Sequence, residues 1–256
     1  MIDFAPAPQA APRVRMLLAQ AVMELKLLLR NGEQVGLTLI IPLLLEVFFN
    51  LPLLYDVTTG PDHRRIDFVV PSILALAVMS AAFTGLAIGT GFERKYGVLK
   101  RLGATALPRG VLIGGKTLAV LALEVLQTAL VCGLGFALGW HPKGEPFSVL
   151  VLIILGTIAF GGLGLLVAGT LRAEVTLAAA NLVWLILLFA GGIAIPLSKY
   201  PSGVRDVAQY LPSAALSDGL HRVLQSGHSL PAGPIVILLV WAAAALPAAA
   251  RWFRWE

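Results

Sequence analysis

The stretch GVLIGGKTLAVLALEVLQTALVCGLGFALGW, residues 110–140, admits two incompatible readings. Its first eight residues, Gly110–Thr117, satisfy G-x-x-x-x-G-K-[ST], the pattern of a phosphate-binding loop. Such a loop comes after a buried strand and curls its backbone N–H groups around phosphate in water. Here the preceding RLGATALPRG is basic and broken by Pro108, while Val111, Leu112 and Ile113 are apolar. Beyond Thr117 the chain is an apolar run with only Glu124 and Gln127 as strongly polar members. A βαβ unit alone needs about 30 residues, and no polar segment nearby is long enough to supply one. The segment reads as a membrane helix, with Lys116 snorkelling to the interface.

The rest of the chain agrees. Of its 256 residues 58% are hydrophobic and 13% charged, and the mean hydropathy is +0.86. Soluble domains carry roughly a quarter charged residues, so lipid is the expected solvent. A spanning helix needs about 20 mostly apolar residues. Residues 35–55, 67–92, 111–140, 147–170, 175–197 and 232–250 qualify, which predicts an all-α polytopic membrane protein with six transmembrane helices in one domain. The lone Cys132 excludes an internal disulfide or a cysteine metal site. No cluster of basic and aromatic residues points to nucleic acid. The opening MIDFAPAPQAAPRVR lacks the apolar core of a signal peptide.

Charge orients the spans. With six spans, thirteen of the nineteen Lys and Arg residues fall on the side of both termini, so both ends are expected in the cytoplasm. Before the first span, Val14, Leu17, Leu18, Ala21, Val22, Leu25, Leu28 and Leu29 form one helical arc flanked by Arg15, Lys26 and Arg30. This pattern predicts an interfacial amphipathic helix over 13–30, held to membrane lipid. In the external loop 198–231, Val204, Val207, Ala208 and Leu211, then Leu216, Leu220, Val223 and Leu224, keep helical spacing after Pro201 and Pro212. Two short external helices are expected there.

Between the second and third spans stands GFERKYGVLKRLGATALPRGVLIGGKTLA, with a cytoplasmic elbow over 93–110. A span ending in Glu-x-x-x-Gly, then Leu-Lys-Arg-Leu, then a Leu-Pro-Arg turn, resembles the membrane subunit of type-2 ABC exporters, in particular daunorubicin-resistance-type drug and lipid permeases. The Gly-Gly, Pro, Tyr-Pro and Leu-Pro rhythm of residues 181–224 carries the likeness onward. The resemblance implies a separate ABC ATPase subunit that holds ATP and Mg, so that this chain is neither an enzyme nor a cofactor binder. It implies that Glu93, Arg94, Lys95, Tyr96, Lys100, Arg101 and Arg109 dock that subunit, with Arg172 and Glu174 as a smaller contact. It also implies pairing with a second copy or a non-identical permease.

Within the spans, ionisable groups are costly and point to function. Glu46 and Asn50 share a helix face; with Glu124 and Asn181 they are candidate lining for a substrate path, or interhelical hydrogen-bond partners. His63, His141, His221 and His228 lie in expected external loops without metal-ligand spacing. The reading is a permease moving a hydrophobic or amphiphilic drug or lipid out of the cytoplasm or inner leaflet. A polysaccharide or glycolipid exporter of the same superfamily, or a self-contained secondary transporter, are the alternatives.

Overall fold

Proline opens most of the helices. The computed structural model describes residues 11–51, 64–105 and 107–253. Helix α1 (Arg13–Arg30) begins after Pro12 and is followed by α2 (Gly32–Asn50). A continuous helix, Arg65–Lys95, comprises α3 (Arg65–Val78), a π-helical segment (Met79–Gly85) and α4 (Leu86–Lys95). Then come the short α5 (Val98–Gly103), α6 (Arg109–Ala137) after Pro108, and α7 (Pro146–Thr170). The chain ends with α8 (Ala173–Ala190), α9 (Ser202–Ala208) after Pro201, α10 (Pro212–Ser226) and α11 (Ala232–Trp252) after Pro231. Proline suits the first turn because its missing N–H would be unpaired there anyway. Pro42, Pro71 and Pro247 lie inside helices, as neighbouring helices permit in a membrane.

Among the described residues, five helices are long and apolar enough to cross a bilayer: Arg65–Lys95, Arg109–Ala137, Pro146–Thr170, Ala173–Ala190 and Ala232–Trp252. Helix α1 and residues Val35–Asn50 form a pair bent by 71° that supplies a sixth when taken as one span. The expected first span, 35–55, is helical as far as Asn50; residues 52–55 lie outside the described residues, as do His63 and Arg254. The two short helices after the fifth span form where Pro201 and Pro212 announce them.

The helix Arg65–Lys95 and α7 make the centre of the bundle. Every residue from Phe68 to Met79 is buried. The glycines of α7 let its neighbours approach closely. A Cβ on Gly164 would stand 2.6 Å from the Phe83 carbonyl oxygen in the π segment. One on Gly162 would stand 2.9 Å from the Ala245 Cβ of α11. Helix α10 buries Ser213 through Ser217 and is packed against α3, α7 and α11. Gly192, at φ +72°, needs the left-handed conformation; it turns the chain so that its carbonyl accepts from Ser217 Oγ at 3.3 Å.

Helix α1 departs from the expectation in one respect. Val14, Leu18, Val22 and Leu29 are exposed, facing outward as an interfacial helix requires. The polar edge, however, is turned into the protein: Gln20 and Glu24 are the buried residues of the helix. Their partner is α6, whose Gly114 and Gly115 make room. A Cβ on Gly115 would stand 2.6 Å from Gln20 Cγ. Gly115, the glycine before the lysine of the phosphate-loop pattern, is thus with Gly114 a helix-packing site.

Candidate functional site

Lys116 does not reach the interface. It is 3% exposed, and its Nζ donates to Glu24 Oε2 of α1 at 3.0 Å and to Glu93 Oε1 of α4 at 2.8 Å. Gln20 Nε2 donates to the other Glu24 oxygen at 2.7 Å. The lysine that a phosphate loop would need is shared between two carboxylates, and the loop conformation is replaced by helix from Arg109 onward. Periodicity could not reveal this cluster, because Glu24, Glu93 and Lys116 lie far apart in the chain.

The elbow begins beside the cluster. Gly97, at φ +73°, reverses the chain after α4 and precedes α5. One face of α5 is apolar: Leu99 is buried with Leu112 and Phe253, while Leu102 and Leu107 close the cluster. The opposite face carries Tyr96, Val98, Lys100 and Arg101, all exposed, with Tyr96 at 69%. Arg94 Nη2 donates to the Leu171 carbonyl, and Lys95 pairs with Glu174 at 2.5 Å. The two segments singled out from the sequence, 93–109 and 171–174, therefore meet at one end of the bundle. Arg109 and Arg172 are exposed there as well. Glu93 is the member turned inward, toward Lys116.

Three adjoining cavities run along the helix Arg65–Lys95. The inner one, about 200 Å³, is bounded by Glu24, Glu93, Lys116 and Thr90. Leu28, Asn31, Gly85, Leu86 and Gly89 separate it from a middle cavity of about 700 Å³, shared among α1, α2, α6, α8 and the π segment. Such a volume falls in the usual range for small-molecule sites, about 300–1,000 Å³. Asn31, Thr38, Ser80, Thr84, Gln127, Asn181 and Trp184 are its polar members. Leu45, Leu76 and Trp184 are shared with an outer cavity of about 400 Å³, otherwise walled by Phe49, Phe68, Ser72 and Phe189. The groove is thus ionic at the elbow end, hydroxyl-bearing in the middle and aromatic at the far end. The π turn, a feature frequent at functional sites, places both Ser80 and Thr84 on the cavity wall.

Hydrogen bonds fix the walls. Trp184 Nε1 donates to Ser80 Oγ at 2.9 Å, tying α8 to the π segment. Gln127 Nε2 donates to the Thr38 carbonyl at 2.8 Å, tying α6 to α2. At the outer end His221 backs the wall, 3.3 Å from Ser72 Oγ and with its ring 4.8 Å from that of Phe68. Burial holds the His221 imidazole below its ordinary range, against the raising effect of the Ser217 carbonyl.

Of the four residues expected along a path, only Asn181 lines one of these cavities. Glu124 is buried between α6 and α7, where Thr157 Oγ1 donates to its Oε2. Glu46 is buried with both carboxylate oxygens unpaired, its Oε1 3.2 Å from where a Gly135 Cβ would stand. Asn50 is half-buried in the last turn of α2. Ser72, Ser80 and Thr84 are not among the residues expected from the sequence, although their spacing of four or eight residues on an apolar span is a helix-face signal.

A polytopic helical bundle with a groove along its central helix and a basic elbow at one end has the build of a membrane transport subunit. The family model described as ABC-2 family transporter protein matches residues 64–251, well over half of the chain. The putative transport permease YvfS of Bacillus subtilis is 24% identical over 84% of this chain and 87% of its own. The probable doxorubicin resistance ABC transporter permease protein DrrC of Mycobacterium tuberculosis is 28% identical over 94% of this chain and 90% of its own. The linearmycin resistance permease protein LnrN of B. subtilis is 28% identical over 66% of this chain and 45% of its own. The chain belongs to the ABC-2 family of transporter proteins, as a multi-pass permease subunit.

Proposed function

We propose that this chain is the membrane half of an ATP-driven exporter, which moves a hydrophobic or amphiphilic drug or lipid outward from the cytoplasm or inner leaflet. ATP and Mg are bound and ATP is hydrolysed on a separate cytoplasmic ABC subunit, and both termini of this chain lie on that side. The observation that carries the reading is that one helix serves both ends of the task. Residues Arg65–Lys95 wall the groove through Ser72, Ser80 and Thr84 and then run directly into the elbow. A push on Tyr96 reaches the groove wall directly along this helix, one on Lys100 and Arg101 reaches it across the Gly97 turn, and the Lys95–Glu174 pair carries it to α8, the other wall. Arg94, Arg109 and Arg172 complete the docking surface; Glu93 fixes it from within.

The exposed apolar faces of α2 and α8, among them Leu37, Ile40, Leu44, Leu182 and Ile186, suit lipid or a second permease, the same or non-identical. Closure of two ATPase subunits would rock two such permeases against each other. Two of the relatives are named for drug resistance, which favours export of a drug-like amphiphile over a polysaccharide.

The test is reconstitution. Vesicles holding this chain and its ATPase subunit are expected to transport the lipophilic dye rhodamine 6G only when ATP is added on the elbow side. Equal transport by the chain alone, driven by an ion gradient, would establish a secondary transporter instead.

A further inference from the structure

We propose that the inner cavity is a headgroup site for a protonated amine, so that the exported amphiphile is cationic; this rests on the exporter reading above. The first observation is charge. Lys116 is shared by Glu24 and Glu93, which leaves one formal negative charge in a cluster held between α1, α4 and α6. The nearest basic residues of α4 are directed elsewhere, Arg94 to the Leu171 carbonyl and Lys95 to Glu174.

The second observation is independent and concerns hydrogen bonding. Thr90 is 2% exposed and its Oγ1 bounds this cavity without a partner. Gln127 is 2% exposed; its amide nitrogen is used on Thr38, while its Oε1, on the wall of the middle cavity, is unpaired. Thr84 Oγ1 on the same wall is unpaired too. Buried polar atoms are normally satisfied, and those left open need a reason. The open groups here are carbonyl and hydroxyl oxygens, and the carboxylates beside them also accept. A ligand that donates from a positive group meets all of them; an anionic head meets Lys116, whose charge is already spoken for.

Shape agrees with charge. The ionic chamber, about 200 Å³, takes an ammonium with the first carbons of its chain, and it adjoins the larger, mostly apolar chamber at Gly85 and Gly89. An amphiphile lying along the Arg65–Lys95 helix would set its amine beside Glu24, Glu93 and Thr90 and its body beside Leu76, Ile41 and Trp184. The head would then lie within the cluster that braces the elbow, so occupancy and docking would share Glu93.

The experiment uses the purified full chain in zwitterionic lipid nanodiscs. Displacement of the lipophilic cation rhodamine 6G is followed by fluorescence polarisation, with dodecylamine, dodecanol and dodecyl sulfate as competitors. Dodecylamine is expected to compete at least tenfold better than either of the others. Glu24→Gln, which keeps a hydrogen-bonding side chain beside Gln20, should weaken rhodamine 6G about tenfold. Thr90→Val, nearly isosteric at an unpaired hydroxyl, should weaken rhodamine 6G about threefold, and serves if Glu24→Gln does not fold. Equal competition by the three amphiphiles, preference for dodecyl sulfate, or wild-type affinity in both variants overturns the headgroup site. Binding needs no ATPase, so loss of cation preference alongside ATP-driven export of rhodamine 6G would sink this proposal and leave the exporter standing. The converse result would sink the exporter alone.

Discussion

Gly89→Phe is expected to stop transport while leaving the protein folded. Gly89 lies on the walls of both the inner and the middle cavity, and a Cβ built on it meets nothing within 4 Å. A larger side chain there enters the groove without overlapping the bundle, unlike one at Gly164, where the Phe83 backbone is 2.6 Å away. Glycine also disfavours the middle of a helix by roughly 0.5–1 kcal/mol relative to alanine. Gly89→Ala should therefore be slightly more stable and still active. Gly89→Phe should lose at least tenfold in ATP-driven dye transport, with an unfolding temperature in detergent close to that of the parent. Transport at the parental rate would mean that substrate travels elsewhere.

Lys116→Met should have the largest effect on stability. Removing the lysine leaves Glu24 and Glu93 facing one another, with no counter-ion between them, inside the α1–α4–α6 junction. Breaking a buried ion pair by removing one partner costs about 3–5 kcal/mol, whereas replacing all members by neutral groups is far less harmful. Unfolding of Lys116→Met in detergent should occur at clearly lower temperature. Adding Glu24→Gln and Glu93→Gln should restore most of the loss. If Lys116 were a phosphate ligand, its replacement would affect nucleotide binding and leave stability unchanged.

Much of this architecture is legible from residue order alone. Apolar runs locate the helices, prolines at 12, 108, 201, 212 and 231 mark where five of the described helices start, and the basic elbow stands out between two spans. What periodicity could not reveal is which face meets what. In water a polar edge such as Gln20 and Glu24 is read as solvent-facing; beside a membrane the same edge can be the only one with partners, and here the partner is Lys116. The apolar arc of α1 is divided: Leu17 and Leu28 pack against the bundle, while Val14, Leu18, Val22 and Leu29 are exposed.

The groove was hidden for a related reason. On a helix buried on all sides, lipid contact, packing and cavity wall draw on the same side chains, so Ser72, Ser80 and Thr84 look like ordinary small residues. The π segment at Met79–Gly85 shifts the register of the helix and has no sequence signature of its own. Conversely, Glu46 and Glu124 drew attention because buried acids are rare, yet Glu124 is engaged by Thr157 and neither lines the groove.

If a separate ATPase drives this chain through its elbow, hydrolysis must depend on the elbow's charge. The quantity to measure is ATP hydrolysis in vesicles by this chain alone, by its ATPase subunit alone and by the two together, with and without Lys100→Glu and Arg101→Glu. Lys100 and Arg101 are exposed on the side of α5 opposite the buried Leu99, so the reversal should leave the fold intact. Like charges placed across a docking surface cost several kcal/mol, enough to reduce complex formation at least tenfold. Substrate-stimulated hydrolysis is expected only in the complex and should be largely lost in the double reversal. Hydrolysis by the chain alone, abolished by changing Lys116, would contradict the proposed coupling.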